Sequence, residues 1–242
     1  MTRKRTDAVA APLYAFSVDQ RALKAGRWAK ASTRGVVRQW KVMRQIPLRR
    51  RSPRHLIYIA QQLDKSTRYA AARSSRTERL VAKAIDAARA TGSSVAGAKV
   101  LCVGCRNSAE LDLFQAAGCT PVGVDLFSND PRVRQMDMHD LQFDAHSFDL
   151  IYACHALEHA IEPSAVAGEL TRVAREGAVC TIEVPIKFRT SLTDRQDYGS
   201  VGGVLELFGD HVGDVVFSEE THDARDGMVA RVAFQLRSSG SC

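Results

Sequence analysis

From residue 98 onward, short continuous apolar runs alternate with stretches of helical period. The runs are AKVLCV (98–103), TPVGVDLF (120–127), FDLIYAC (148–154) and AVCTIEVP (178–185). The first is followed by a helical stretch from about Ser108 to Ala117. A short VRQMD follows the second, and a helical stretch from Pro163 to about Arg175 follows the third. Strands that are apolar throughout, interleaved with helices, predict a parallel sheet covered on both faces. The end of the chain breaks this rhythm. After a short helix VLELFG come VVFSEE and MVARVAFQLR, separated by a polar turn with Asp226-Gly227. That turn is too short for a crossover helix, so the two strands pair antiparallel as a hairpin. In the last strand Val232, Phe234 and Leu236 share one face, and Arg231, Gln235 and Arg237 take the other.

The first 95 residues read as helices without strands. Val36, Val37, Trp40 and Met43 fall on one helical face, with Arg34, Arg38, Lys41 and Arg44 off it, and Pro47 ends the segment. A cluster of Arg49, Arg50, Arg51 and Arg54 precedes a second helix with Leu56, Ile59 and Leu63 on its stripe. A third helix starts near Ser75, whose spacing to Glu78 fits a capping box. It buries Leu80, Val81, Ala84, Ile85 and Ala88, and Gly92 stops it.

Charge divides the chain at the same place. Residues 1–95 hold 22 Lys and Arg against 5 Asp and Glu, a net of +17; residues 96–242 hold 12 against 22, a net of −10. This predicts a basic helical extension, 1–95, and a second domain, 96–242, with Gly92-Ser93-Ser94 and Gly97 at the join. Opposite charges permit the extension to fold over the second domain as a lid. It could equally lie on an anionic membrane surface with Trp40 inserted. Both rank above RNA binding, because no RNA-binding motif is present and aromatics are sparse there. A solvated arm is the plain alternative.

Other features narrow the class. No apolar stretch approaches the roughly 18–20 residues that span a bilayer. Asp7 and Pro12 interrupt what would be the apolar part of a secretion signal. The expectation is a cytoplasmic protein, at most peripheral to a membrane. Cys102 and Cys105 form a C-x-x-C with no second pair at metal-ligand spacing, so the six cysteines read as reduced, packed thiols and no metal is expected. HALEH (155–159) matches H-x-x-E-H, but a strand ends just before it and the next helix begins near Pro163. That leaves no mid-helix pair of histidines for zinc.

In an open parallel sheet, ligands bind at the carboxyl ends of the strands. Those ends are Gly104; Asp125, 21 positions later; Asp137-Met138; and Cys154-His155. Glycine at 104 lets backbone approach a ligand closely. Asn107 tolerates positive φ, and the helix start after it offers free N–H groups to an anion. An acid at 125 can accept two hydrogen bonds from a ribose diol.

Four stretches in order carry a resemblance: VLCVGCRNSAELDLFQAAG, VGVDLF, DMHDLQFDAHSFDLIYACHALEH and ELTRVAREGAVCTIEVP. Over about residues 98–185 the chain resembles the class I S-adenosylmethionine-dependent methyltransferases, closest to their type 11, small-molecule branch. The resemblance implies a Rossmann-like α/β sheet with helices on both faces and a C-terminal antiparallel hairpin, and S-adenosylmethionine as methyl donor. It implies that Gly104, Arg106, Asn107 and Ser108 hold the methionine part, that Asp125 binds ribose and that Leu126 packs on adenine. Asp137 and Met138 would contact the adenine edge, and Cys154, His155 and Leu157 would sit under the sulfonium. The chain departs from the family where Cys102 replaces its first acid, Arg106 and Ser108 replace its second and third glycines, and Gly177 has no second glycine after it.

A hydroxyl acceptor needs a base, and His155 and His159 are the nearest titratable candidates. The plainer reading has His155 lining the donor pocket and His159 capping or packing. The loop 187–200 is the expected acceptor wall. Lys187, Arg189 and Tyr198 could hold an acidic or sugar-like small molecule there, although a solvated loop whose Asp197 and Ser200 start the next helix is the preferred reading. Two other functions stay open: a methyltransferase-like binding module without catalysis, and an RNA methyltransferase guided by the basic arm.

Overall fold

The computed structural model describes residues 75–105, 108–126, 128, 130–224 and 227–237. The helix around Trp40, the arginine cluster and the second basic helix lie outside the described residues, as do Arg106 and Asn107. Seven strands form one sheet: β1 Lys99–Val103, β2 Thr120–Asp125, β3 Val133–Gln135, β4 Phe148–Cys154, β5 Ala174–Pro185, β6 Val212–Asp223 and β7 Gly227–Leu236. Their order is β3-β2-β1-β4-β5-β7-β6. The first five pair in parallel, and β7 runs antiparallel to both β5 and β6. This is the Rossmann-like sheet with a terminal hairpin that the apolar pattern predicts. The order reverses at β1, between β2 and β4, which is where such sheets open a crevice.

Helices α1 Ser75–Ala90, α2 Ala109–Ala116, α3 Pro163–Val173 and α4 Val201–Glu206 cover the sheet. Alternation along the strands sorts the core into two layers. On one face Leu101, Ile151, Ile182, Val232 and Phe234 pack with Val166 and Leu170 of α3. On the other, Val100, Cys102, Leu150 and Tyr152 pack with Leu80, Val81, Ala84 and Ala88 of α1 and with Leu111 and Phe114 of α2. The four buried cysteines, 102, 105, 119 and 180, carry free thiols in these layers. Burial pushes the Cys102 and Cys105 thiols well up. Among the described residues no cluster is arranged to hold a metal ion.

Helix α1 begins at Ser75, whose hydroxyl accepts from Arg79. It ends where Ser93 donates to the Ala88 carbonyl and Gly92 turns with φ +77°. Its apolar stripe is the predicted one, and its basic residues are matched to acids on the sheet. Arg76, Arg79 and Lys83 lie on one helical face. They meet Glu183 at 3.6 Å, Asp223 at 3.2 Å and Glu219 at 3.3 Å. Arg231, expected on the polar face of the last strand, is 7% exposed and ion-paired with Glu183. It is buried because β7 lies inside the sheet and α1 covers that face.

Candidate active site

A cleft of about 620 Å³, counting its open mouth, lies at the carboxyl ends of β1, β2 and β4. Its lining includes Gly104, Asp125, Leu126, Asp137, Met138, His155 and His159. Seven of the residues singled out from the sequence thus meet along one open cleft. Ser108 lies elsewhere, with its hydroxyl bonded to the Asp130 carboxylate. Leu157 is fully buried in the core. Cys154 packs towards the layer beneath α1, with its thiol 3.8 Å from Glu183.

Gly104 ends β1 with φ +72°, a conformation that L side chains rarely adopt. A Cβ there would stand 2.6 Å from the Cβ of Ala156. Both facts demand glycine, and the turn presents bare backbone to the cleft. At Gly123 a Cβ would stand 2.4 Å from the Cys105 sulfur. Cys105 therefore plugs the space beneath β2, which gives the C-x-x-C a packing role.

The wall at Asp137 holds a residue that sequence reasoning missed. His139 Nε2 accepts from the backbone N–H groups of Ile161 (3.1 Å) and Glu162 (3.3 Å). Its proton must then sit on Nδ1, which donates to Asp137 Oδ1 at 2.5 Å. His139 thus fastens the Asp137 carboxylate to the turn that precedes α3. The only sequence signal was a histidine two residues after the acid.

His155, Ala156 and His159 also line the cleft, from a segment in which Leu157–His159 form one 3₁₀ turn. His155 has φ +51°, a strained value for a residue with a Cβ. Its N–H donates to the Glu183 carbonyl at 2.9 Å. Its Nε2 lies 3.1 Å from Glu183 Oε1 and 3.4 Å from Arg76 Nη1, and its Nδ1 lies 3.5 Å from Glu158 Oε1. Glu183 is fully buried, and burial opposes its ionisation. Hydrogen bonds from His155 and Arg231, with their charges, nevertheless hold its carboxyl below the usual range. Glu158 is 2% exposed; burial raises its carboxyl, against the pull of His159 and His155.

His159 is held differently. Its Nδ1 donates to the Thr193 carbonyl at 2.8 Å and lies 3.3 Å from Asp194 Oδ1. Thr193 and Asp194 belong to the loop expected as the acceptor wall, and that loop clasps the 3₁₀ turn. Arg195 and Gln196 donate backbone N–H groups to the Glu158 carbonyl at 2.7 and 3.0 Å. The Gln196 side chain donates to Ala160 and the Tyr198 hydroxyl to Leu157, both at 3.0 Å. Lys187 pairs with Glu220 at 2.9 Å, Asp197 accepts the backbone N–H groups of Lys187 and Phe188, and Ser200 caps α4. Neither Lys187 nor Tyr198 lines the cleft.

Residues 101–182 match the model of a methyltransferase domain family. Among solved structures it is similar to the 1,6-didemethyltoxoflavin-N1-methyltransferase of Burkholderia thailandensis, determined with 1,6-didemethyltoxoflavin and S-adenosylhomocysteine bound. The TM-score is 0.59 at 16% identity, over 80% of this chain and 93% of that one. It is also similar to the YcgJ protein of Bacillus subtilis (0.53, 13%, 67% of this chain and 100% of that one). A third is the [4+2]-cyclase SpnF (0.51, 15%, 66% and 81%). These likenesses establish the fold. No curated protein matches the chain in sequence. Among the described residues no helix is long and apolar enough to cross a membrane.

Proposed function

We propose that the chain transfers a methyl group from S-adenosylmethionine to a small-molecule acceptor whose reacting group is a hydroxyl. The observation that carries this reading is the convergence of a bare glycine turn, two acids and three histidines on one cleft at the reversal of strand order. The residues fit the donor. Asp125 at the end of β2 would hold the ribose diol, Asp137, fastened by His139, and Met138 the adenine edge, and Leu126 the adenine face. The Gly104 turn would admit the methionine part, with Arg106, Asn107 and Ser108 following it.

The bound donor supplies an activated methyl group, so the chain's task is alignment and removal of water. Orientation alone can contribute up to roughly 7–11 kcal/mol to such a step. A hydroxyl also needs a proton acceptor, for which His155 and His159, both in the cleft lining, are the candidates. The small-molecule acceptor is supported by the similar B. thailandensis enzyme, whose bound 1,6-didemethyltoxoflavin is one. SpnF, a cyclase by its description, favours a second reading in which this fold serves without methyl transfer.

The test is incubation of the full chain with methyl-labelled S-adenosylmethionine and a small-molecule extract of cells, followed by mass spectrometry. The reading expects label in a small compound that gains one methyl group. Label found only in RNA, or in no product, would contradict it.

A further inference from the structure

Of the three histidines that line the cleft, His139 has both ring nitrogens engaged by Asp137 and the turn before α3, and His155 and His159 are held by different partners. At His155, carboxylates from β5 and from its own turn stand at both ring nitrogens, Arg76 from α1 reaches the Nε2 edge, and the backbone is strained at φ +51°. That arrangement anchors the end of β4 to β5 and α1. His159 likewise has a carboxylate near each nitrogen, Asp194 Oδ1 at 3.3 Å from Nδ1 and Glu158 Oε1 at 4.0 Å from Nε2, but its Nδ1 is also fixed by a carbonyl. A carbonyl oxygen can only accept, so the Nδ1 facing Thr193 must carry the proton. In the neutral ring the lone pair then belongs to Nε2, on a side chain that lines the cleft.

Asp194 is braced for a role beside that ring. Its Oδ2 accepts from the hydroxyls of Ser191 (3.2 Å) and Thr193 (3.1 Å), and its N–H donates to Ser191 Oγ at 2.9 Å. Its Oδ1 stands 3.3 Å from His159 Nδ1. The clasp of Arg195, Gln196 and Tyr198 on the 157–160 turn keeps the loop in register with the histidine.

We infer that Thr193 and Asp194 form the positioning element for His159, fixing its Nδ1–H tautomer so that Nε2 is the basic atom for an acceptor that sheds a proton. This deepens the methyl-transfer reading and rests on it for the identity of the reaction. An oxygen lone pair of the acceptor forms the new O–C bond as the C–S bond breaks, and that bonding pair stays on sulfur. The acceptor proton passes to His159 Nε2. The positive charge that leaves the donor as it becomes S-adenosylhomocysteine is thereby taken up by imidazolium, beside the Asp194 carboxylate. The acceptor class is one that must lose a proton during transfer, a hydroxyl such as a phenol or enol, as opposed to one already bearing a free lone pair without a proton to give up. His155 is then a structural fixture of the wall.

The test needs neither donor nor acceptor. Long-range ¹H–¹⁵N spectra of the full ¹⁵N-labelled chain, with His159 assigned by Glu or Gln replacement and His155 by the same means, report which ring nitrogen carries the proton. The inference expects neutral His159 to show a protonated Nδ1 and a bare Nε2. In Asp194→Ala it expects that single signature to be lost to a mixture of tautomers, and in Asp194→Asn, which keeps the loop's hydroxyl contacts, partial retention. A wild-type His159 protonated on Nε2, or Asp194→Ala and Asp194→Asn spectra both identical to the wild type, would overturn it. Failure of donor binding would overturn the methyl-transfer reading without altering this result, so the two outcomes are distinguishable.

Discussion

Replacing Glu183 with methionine removes the centre of the charge network beneath α1. Arg231, 7% exposed, then loses its buried partner and keeps Glu219 at 3.1 Å and Asp223 at 3.8 Å. Removing one member of a buried ion pair costs about 3–5 kcal/mol, because the survivor stays desolvated without compensation. Glu219 is about one-third exposed and partly screened, yet it still offsets some of that penalty. His155 and Arg76 lose a partner in the same step, which acts in the other direction. The expected loss is about 3 kcal/mol in urea unfolding of the full chain, followed by circular dichroism. Replacing both charges together should cost less than either single change, since a buried pair exchanged for apolar residues of similar volume is often neutral. Glu183→Met/Arg231→Met is therefore expected to be more stable than Glu183→Met, with a coupling of about 2 kcal/mol. A single-variant loss under about 1 kcal/mol, or single losses that simply add, would refute a coupled buried network.

Three further outcomes follow from the same geometry. Asp125→Ala should weaken binding of S-adenosylmethionine by roughly ten- to a hundredfold, the loss of about 1.5–3 kcal/mol expected for charged hydrogen bonds; calorimetry showing unchanged affinity would remove Asp125 from the ribose site. Gly104→Ala meets both the positive φ and the 2.6 Å approach to Ala156, and should cost about 2 kcal/mol or more of stability; a loss under about 0.5 kcal/mol by denaturant titration would show that the turn is not constrained. Acid should destabilise the fold through Glu183 and Glu219, which burial opposes but which His155, Arg231 and Lys83 hold below the usual carboxylate range. A folded value below the unfolded one contributes stability that is present above about pH 4.3 and lost as pH falls further. Thermal midpoints measured across that range should fall less steeply in Glu183→Gln, and an unchanged slope would contradict the assignment.

The strands were legible because they are buried on both faces, which leaves continuous apolar runs that only a covered sheet produces. The strand ends were legible for the same reason, and with them the lining of the cleft at Gly104, Asp125, Asp137 and His155. What escaped was cooperation between distant segments. Thr193 and Gln196 act on the 157–160 turn through backbone carbonyls, and a carbonyl leaves no trace in residue type. His139 stands among acids with nothing in its neighbours to single it out, although two backbone N–H groups enclose its Nε2. Glu183 sits inside the run AVCTIEVP, and its buried partners come from β7 and α1. Charge counting showed two oppositely charged regions. It could not show that Arg76, Arg79 and Lys83 would find acids on β5 and β6 and fasten α1 to the sheet.

The central claim is that the cleft between the Gly104 turn and Asp125 receives a sulfonium donor. Isothermal calorimetry of the full chain with S-adenosylmethionine and, separately, S-adenosylhomocysteine tests it most directly. Saturable binding at one site per chain is expected for both, with a raised thermal midpoint that reflects about 2.7 kcal/mol at a hundredfold excess over Kd. No binding heat and no shift in midpoint with either compound would contradict the account.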